Sequence, residues 1–173
     1  MRLPVIIATL ATLPGLLAFP HSPSVFSNRA AAYSQPETRS NKTKSYCPGH
    51  PASEAHQRKI FFAFINDLYV KKDVLGAFDT YIAEDLIEHD PFDAQGRAAN
   101  AAKLVNIIPY VPSTVLRVSF SNNVGLAHVR VDEANKEPIA LADIYRMDGT
   151  CIVEHWDVTQ SRPANATNPI AMF

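Results

Sequence analysis

One stretch decides the fold of this chain: IALADIYRMDGTCIVEHWDVTQ, residues 139–160. Two runs rich in strand-forming residues flank the dipeptide Asp148-Gly149, which is a strong signal for a tight turn between antiparallel strands. The runs are apolar enough to be buried, yet they carry Asp143 and His155. Because an unpaired carboxylate is costly to bury, such a side chain must be paired, neutralised or used for function. The hairpin is therefore the first place to look for a functional site.

Upstream of this hairpin the pattern is helices first and strands afterwards. Apolar residues at helical spacing predict a helix from Glu54 to Lys71, with Ser53 as its N-cap. Asp73 is the predicted cap of a second helix, and a third helix begins after Gly96. Strands are predicted at residues 114–121, 124–131, 139–147 and 150–159. Helices followed by a meander of strands predict an α+β domain.

The beginning of the chain differs in composition from this domain. Residues 3–19 form an apolar run that is typical of a signal peptide, which we assign to residues 1–20. Residues 21–51 are rich in Ser, Pro, Asn, Thr and Lys, and we predict a flexible arm there, followed by the folded domain at residues 52–173. We therefore expect a secreted, extracellular protein that does not contact the membrane once the leader is removed.

Two further features agree with export. Asn41 and Asn165 each begin an Asn-x-Thr triplet, the acceptor for an N-linked glycan. Cys47 and Cys151 are the only cysteines, an even number that suits an oxidising compartment. The sequence leaves two alternatives for them: a disulfide that holds the arm against the last hairpin, or two unlinked small apolar side chains.

Composition and missing motifs argue against several classes of protein. The formal net charge is -1, whereas nucleic-acid binding usually needs a basic face. No Gly-x-Ser-x-Gly elbow indicates a serine hydrolase, and no glycine-rich loop indicates nucleotide chemistry. No His-x-x-x-His or Cys-x-x-Cys spacing indicates a metal site. These absences argue against a bound nucleotide and a metal ion.

The ionisable residues on apolar elements remain as candidates for chemistry. His128 lies within one apolar strand and Asp143 within the next. An aspartate and a histidine that share a pocket can act as general acid and base near neutral pH. The structural alternative is that Asp143 forms a salt bridge with Arg130 or Arg146 across the strands. Burial should raise the pKa of a catalytic aspartate, whereas an arginine partner should lower it.

The last strand offers more candidates, on both of its faces. The two-residue period places His155 and Asp157 on one face, and Glu154 and Trp156 on the other. A bulge or a one-residue slip would exchange the faces, so the sequence does not decide which pair points inward.

The residues from about 55 to 173 resemble the SnoaL-like polyketide cyclase family, part of the superfamily named after nuclear transport factor 2. The resemblance lies in NDLY at 66–69, in LIEHDP at 86–91, in the hairpin over 143–158 and in the closing residues 168–173. It implies a cone, in which a strongly curved antiparallel sheet wraps around the N-terminal helices as a cystatin-like α+β barrel. An apolar pocket would lie inside the cone.

The resemblance also implies a function. The founding members of the family catalyse an intramolecular aldol condensation without a cofactor, so acid/base chemistry of the aldol cyclase, isomerase or dehydratase type is expected. Asp143 matches the catalytic aspartate of the family, and His128 matches the histidine that assists it. The residues implied to contact the substrate are His89, Trp156, His155, Tyr69 and Phe64.

The implied ligand is a small apolar molecule that contains a carbonyl group, and the implied assembly is a homodimer formed through the convex face of the sheet. The alternative interpretation is a module of the same fold without catalysis, which binds a small ligand or forms a dimer.

Overall fold

The computed structural model describes residues 44–173 of the chain. The helices are α1 (Glu54–Ile65), continued by a π-helical segment (Asn66–Val70), α2 (Val74–Tyr81) and α3 (Arg97–Leu104). The strands are β1 (Ile82–Glu88), β2 (Ser113–Ser121), β3 (Val124–Val131), β4 (Ile139–Asp148) and β5 (Cys151–Ser161). No helix within these residues is long and apolar enough to cross a membrane.

The first two helices begin where their capping residues predict. The side chain of Ser53 accepts a hydrogen bond from the backbone N–H of His56, and the side chain of Asp73 accepts one from Gly76. Along α1 and the π-helical segment, the apolar face that carries Phe64 and Leu68 is completely buried. The helical periodicity of the sequence therefore identified the element around which the core forms.

The sheet has the strand order β1-β5-β4-β3-β2. The four strands expected from the sequence are β2 to β5, and each pairs antiparallel with its neighbour. The first strand, β1, was not predicted, and it pairs parallel with β5. The edge strand β1 therefore adds a parallel pairing to the predicted antiparallel sheet, and the curled, unclosed sheet of an α+β cone is confirmed.

Small residues on the inner face of β3 let the helix approach the sheet. Ala127 is completely buried, and a Cβ atom added at Gly125 would lie 2.5 Å from the ring of Phe61 on α1. Such a distance is far inside van der Waals contact, so only glycine fits at this position. The inner face of the sheet thus curls closely around α1.

Residues 44–51, the end of the arm predicted from the sequence, pack against the domain. Of the two alternatives for the cysteines, the structure has the disulfide, which joins Cys47 to Cys151 with their Cα atoms 4.9 Å apart. The ring of Tyr46 stacks on that of Tyr81 at 5.5 Å between centroids. The assigned signal peptide and the acceptor at Asn41 lie outside the described residues.

The free edge of β1 is covered by a side chain. The Oε1 atom of Gln95 accepts a hydrogen bond from the backbone N–H of Glu88 at 3.0 Å, and its Nε2 donates to the backbone oxygen of Glu88 at 2.7 Å. The amide of Gln95 therefore makes the two hydrogen bonds that a neighbouring strand would make at this residue.

Phe64 provides a test of the core. Its side chain is 0% exposed and its ring lies 5.0 Å from that of Tyr145, so Phe64→Ala should lower the free energy of unfolding by about 3–5 kcal/mol. The matched control is Phe62→Ala on the same helix, because Phe62 is 42% exposed and should lose under about 1 kcal/mol. Chemical denaturation measures both values, and equal losses would show that the buried face of α1 has been misassigned.

Candidate functional site

A cavity of about 140 Å³ lies between the helices and the concave face of the sheet. Most of its wall is apolar: Phe78, Ile82, Leu86, Leu104, Ile107, Ile108, Val111, Val131 and Leu141. The ionisable side chains that line it are Tyr69, Glu88, Asp93, Asp143, Tyr145, His155 and Asp157. A pocket with an apolar wall and a few convergent polar groups is the usual form of a small-molecule site.

Asp143 lies at the centre of the polar groups and is 2% exposed. Its Oδ2 atom accepts hydrogen bonds from the hydroxyl groups of Tyr69 and Tyr145, the second at 3.3 Å. The arginines that could have paired with it are bound elsewhere, Arg130 to Asp132 and Arg146 to Glu154. The structural alternative of an arginine salt bridge is therefore excluded for Asp143, and its carboxylate faces the cavity.

His155 connects Asp143 to a second buried carboxylate. Its Nδ1 atom lies 2.9 Å from both oxygens of Glu88, and its Nε2 atom lies 3.5 Å from Oδ1 of Asp143. Burial by itself would lower the pKa of the imidazole, but the carboxylates of Asp143 and Glu88 outweigh it and raise the pKa of His155 to about 10. His155 is therefore a cation at neutral pH, held between two anions.

Glu88 is fixed by its backbone surroundings as well as by His155. Its Oε1 atom accepts hydrogen bonds from the N–H groups of His89 and Asp90, at 2.9 and 3.0 Å. Burial works to raise the pKa of Glu88, but the hydrogen bonds from His155 and from these two amides prevail and lower it. The parallel strand β1 thus places the ionised carboxylate of Glu88 next to the imidazole of His155.

Asp157 is the third carboxyl group of the site and pairs directly with Asp143 across β4 and β5. Burial raises the pKa of Asp157, and the nearby charge of Asp90 raises it further, to about 6. A carboxyl group with this pKa can hold or release a proton close to neutral pH, as a general acid or base must.

The two tyrosines remain protonated. Burial and the charge of Asp143 raise the pKa of both Tyr69 and Tyr145 well above the ordinary value. Each hydroxyl group therefore remains a hydrogen-bond donor to Asp143 over the whole working range of pH. The ring of Tyr145 also stacks on His155 at 4.5 Å between centroids, which fixes the plane of the imidazole.

Of the residues expected to take part, Asp143, His155 and Tyr69 are brought together and His128 is not. Directly paired residues on antiparallel strands share a face of the sheet, and β3 pairs Ala127 with Asp143 but His128 with Ala142. His128 consequently points to the outer face, where its Nδ1 atom lies 2.8 Å from Arg117. The structure therefore does not support the expected assistance of Asp143 by His128.

The remaining candidates lie near the cavity but do not line it. His89 and Trp156 stack on each other at 4.8 Å on the outer face of β5, where His89 also contacts Glu154 at 2.9 Å. Phe64 is part of the core beneath Tyr145. The expectation that these three residues bind a substrate does not agree with their positions.

The sequence named Asp157 as a candidate without giving it a role, and Glu88 and Tyr145 were not among the candidates. Two of them had a signal, because Tyr145 follows Asp143 by two residues and Asp157 follows His155 by two, which places each pair on one face of its strand. Glu88 had no such signal, because it lies on the parallel strand β1 and contacts His155, which is 67 residues away in the sequence.

One nitrogen of His155 and one oxygen each from Asp143 and Asp157 lie within 4.8 Å of one another. This set of donor atoms could hold a divalent cation. A metal ion would have to displace the proton that His155 carries at neutral pH, because only the neutral imidazole is a ligand.

The raised pKa of His155 should be visible in the stability of the protein. The folded state holds a proton that the unfolded state loses above pH 6.5, so this stabilisation is complete below pH 6.5 and disappears as the pH rises through about 10. The free energy of unfolding, measured with urea over this range, should fall with pH in the wild type. The variant His155→Gln should show a smaller decline, and parallel curves would contradict the raised pKa.

No protein-family model matches the chain, and no curated protein sequence matches it. Solved structures do match. An NTF2-like protein of unknown function from Burkholderia xenovorans LB400 is 19% identical with a TM-score of 0.55, over 65% of this chain and 88% of that one. A similar protein of unknown function from Mesorhizobium loti is 18% identical with a TM-score of 0.54, over 65% and 98%.

A proposed ketosteroid isomerase from Kribbella flavida is also similar, with 12% identity and a TM-score of 0.56 over 68% of this chain and 87% of that one. At these identities the similarity concerns the fold, and it agrees with the arrangement of three helices against a curled five-stranded sheet. The chain therefore has the NTF2-like fold that its sequence resemblance implied.

Proposed function

We propose that the protein is an enzyme that moves protons on a small carbonyl compound, through acid/base chemistry that needs no cofactor. The observation that carries this proposal is the group of Asp143, His155 and Asp157 on the wall of one apolar cavity. Their surroundings differ: His155 is held as a cation between two carboxylates, and Asp157 has a pKa of about 6. Groups with distinct protonation states in one pocket are what proton transfer requires.

In the proposed reaction Asp143 is the base. Its carboxylate removes a proton from the carbon next to the carbonyl group, while Tyr69 and Tyr145 hold Oδ2 and so fix the orientation of the carboxylate. The charge that develops on the carbonyl oxygen is stabilised by the imidazolium of His155, which donates from Nε2. That nitrogen is buried and makes no hydrogen bond to any of residues 44–173.

Asp157 completes the transfer in this scheme. It lies opposite Asp143, and in its protonated form it returns a proton to a second carbon or to a departing hydroxyl group. The first outcome is an isomerisation and the second a dehydration. An aldol cyclisation uses the same enolate as the nucleophile.

Hydrogen exchange tests the proposal without knowledge of the natural substrate. Simple ketones are incubated with the protein in deuterated water, and loss of the NMR signal of the protons next to the carbonyl is followed. We expect exchange well above the rate in buffer. Ketones that bind but exchange no faster than with Asp143→Asn would contradict catalysis and favour a ligand-binding module of the same fold.

We also propose that the protein is secreted. The apolar run at residues 3–19 supports this, together with the disulfide and the exposed acceptor at Asn165. N-terminal sequencing of protein from the culture medium should find that residues 1–20 have been removed, and a glycosidase should increase its electrophoretic mobility. Cytosolic protein that retains Met1 would contradict the proposal.

A further inference from the structure

The size of the cavity restricts what the site can hold. An apolar cavity of about 150 Å³ in another protein accommodates one benzene molecule. The cavity here is about 140 Å³, and its wall includes Phe78, Ile82 and Leu86, which are all buried in the core. Interiors packed in this way yield little to a larger guest, so a single ring fills this volume and a second fused ring exceeds it.

The charge of the wall restricts the ligand further. One imidazolium, His155, lies between the carboxylates of Asp143 and Glu88, which leaves a net negative charge. Ionised Asp157 adds another, while Asp93 is neutralised by Lys103. No arginine or lysine within residues 44–173 lines the cavity.

An anionic ligand would therefore lose its hydration and meet only the imidazolium of His155, whose single charge is already outweighed by Asp143 and Glu88. His155 already has two carboxylate neighbours, and a third carboxylate would meet Asp157 at close range. Like charges at short distance in a site of low dielectric constant repel each other strongly.

We propose that the substrate of this site is a compact carbonyl compound, no larger than a single six-membered ring with small substituents, that carries no carboxylate or phosphate group. This inference rests on the proposed function, because it takes the carbonyl group from that chemistry. The restrictions of size and charge come from the cavity alone. The apolar wall holds the ring, and the carbonyl oxygen lies at the end occupied by His155.

Binding measurements with three matched probes test the restrictions. Cyclohexanone is the compact neutral ketone, cyclohexanecarboxylate is an anion built on the same ring, and 1-decalone is a neutral ketone with two fused rings. Affinities are measured by ligand-observed NMR with the intact protein. We expect cyclohexanone to bind at least about tenfold more tightly than either of the others, the scale on which a pocket discriminates small differences in size.

Three variants test which residues of the cavity wall cause this preference. Leu141→Ala removes an apolar side chain from the cavity and should improve binding of 1-decalone by about tenfold, whereas Leu116→Ala, at an exposed position on β2, should not. Asp157→Asn removes one negative charge and should reduce the discrimination against cyclohexanecarboxylate.

The outcomes separate this inference from the proposed function. Equal or tighter binding of cyclohexanecarboxylate or 1-decalone by the wild type would overturn the inference, and so would the absence of binding by cyclohexanone. Selective binding of cyclohexanone without exchange of its hydrogens in deuterated water would leave the restrictions of size and charge standing and would contradict catalysis.

Discussion

Replacing Asp143 with Asn should lower turnover of a true substrate roughly 10²–10⁴-fold, the usual effect of losing a general base. The change keeps the size of the side chain and removes the group that accepts the proton. Tyr69 and Tyr145 can still donate to the amide oxygen, so the fold around the site should be maintained. Steady-state kinetics should show the loss in kcat, with ligand affinity nearly unchanged.

The same variant has a second readout. With one of its two anionic neighbours removed, the pKa of His155 should fall from its value of about 10, and NMR titration of the imidazole measures this. The matched control is Asp148→Asn, the same chemical change at an exposed position on the same strand, which should alter neither quantity. Near-normal turnover by Asp143→Asn would mean that Asp143 is not the base.

Loss of the disulfide should have the largest effect on stability. Cys47 and Cys151 are 104 residues apart. Closing a loop of about 100 residues lowers the conformational entropy of the unfolded chain, which raises its free energy by about 4.7 kcal/mol. Cys47→Ser leaves the buried sulfur of Cys151 in place and should lower the free energy of unfolding by about 4–5 kcal/mol. Chemical denaturation without reductant measures this difference.

A reducing agent provides the control for this variant. It should bring the wild type down to the stability of Cys47→Ser and leave that variant unchanged. The hydrogen bonds between the arm and the hairpin remain, namely from Thr150 N–H to His50 O at 3.0 Å and from the Thr150 hydroxyl to Tyr46 O at 2.7 Å. A loss below about 1 kcal/mol would show that these contacts alone hold the arm.

Local patterns were sufficient for most of the fold. The caps at Ser53 and Asp73 and the alternation in the last hairpin each depend on neighbours within a few residues, and the sequence displays them directly. The strand β1 shows no clean alternation, because its register with β5 shifts between Ile82 and Ile87. The partner of β1, strand β5, is also remote in the sequence, so no local pattern predicts their pairing.

The site was predicted in part for the same reason. Asp143 was identified because a carboxylate on an apolar strand is conspicuous. His128 was expected beside Asp143 because the family resemblance implied it, whereas the pairing of Ala127 with Asp143 puts His128 on the opposite face of β3. The close contact of Gly125 with Phe61 is the physical reason that the Ala127 face of β3 points inward, since α1 has room only for small residues there.

The amide of Gln95 has a consequence for how the molecule behaves in a crowded solution. An edge strand with free N–H and C=O groups is a template on which a second chain can add, and this is a common route to aggregation. At Glu88 that template is already occupied, by a side chain of the same molecule. Glu88 therefore has two separate roles: its carboxylate is one of the two that keep His155 charged, and its backbone groups, paired with Gln95, are closed to a foreign strand.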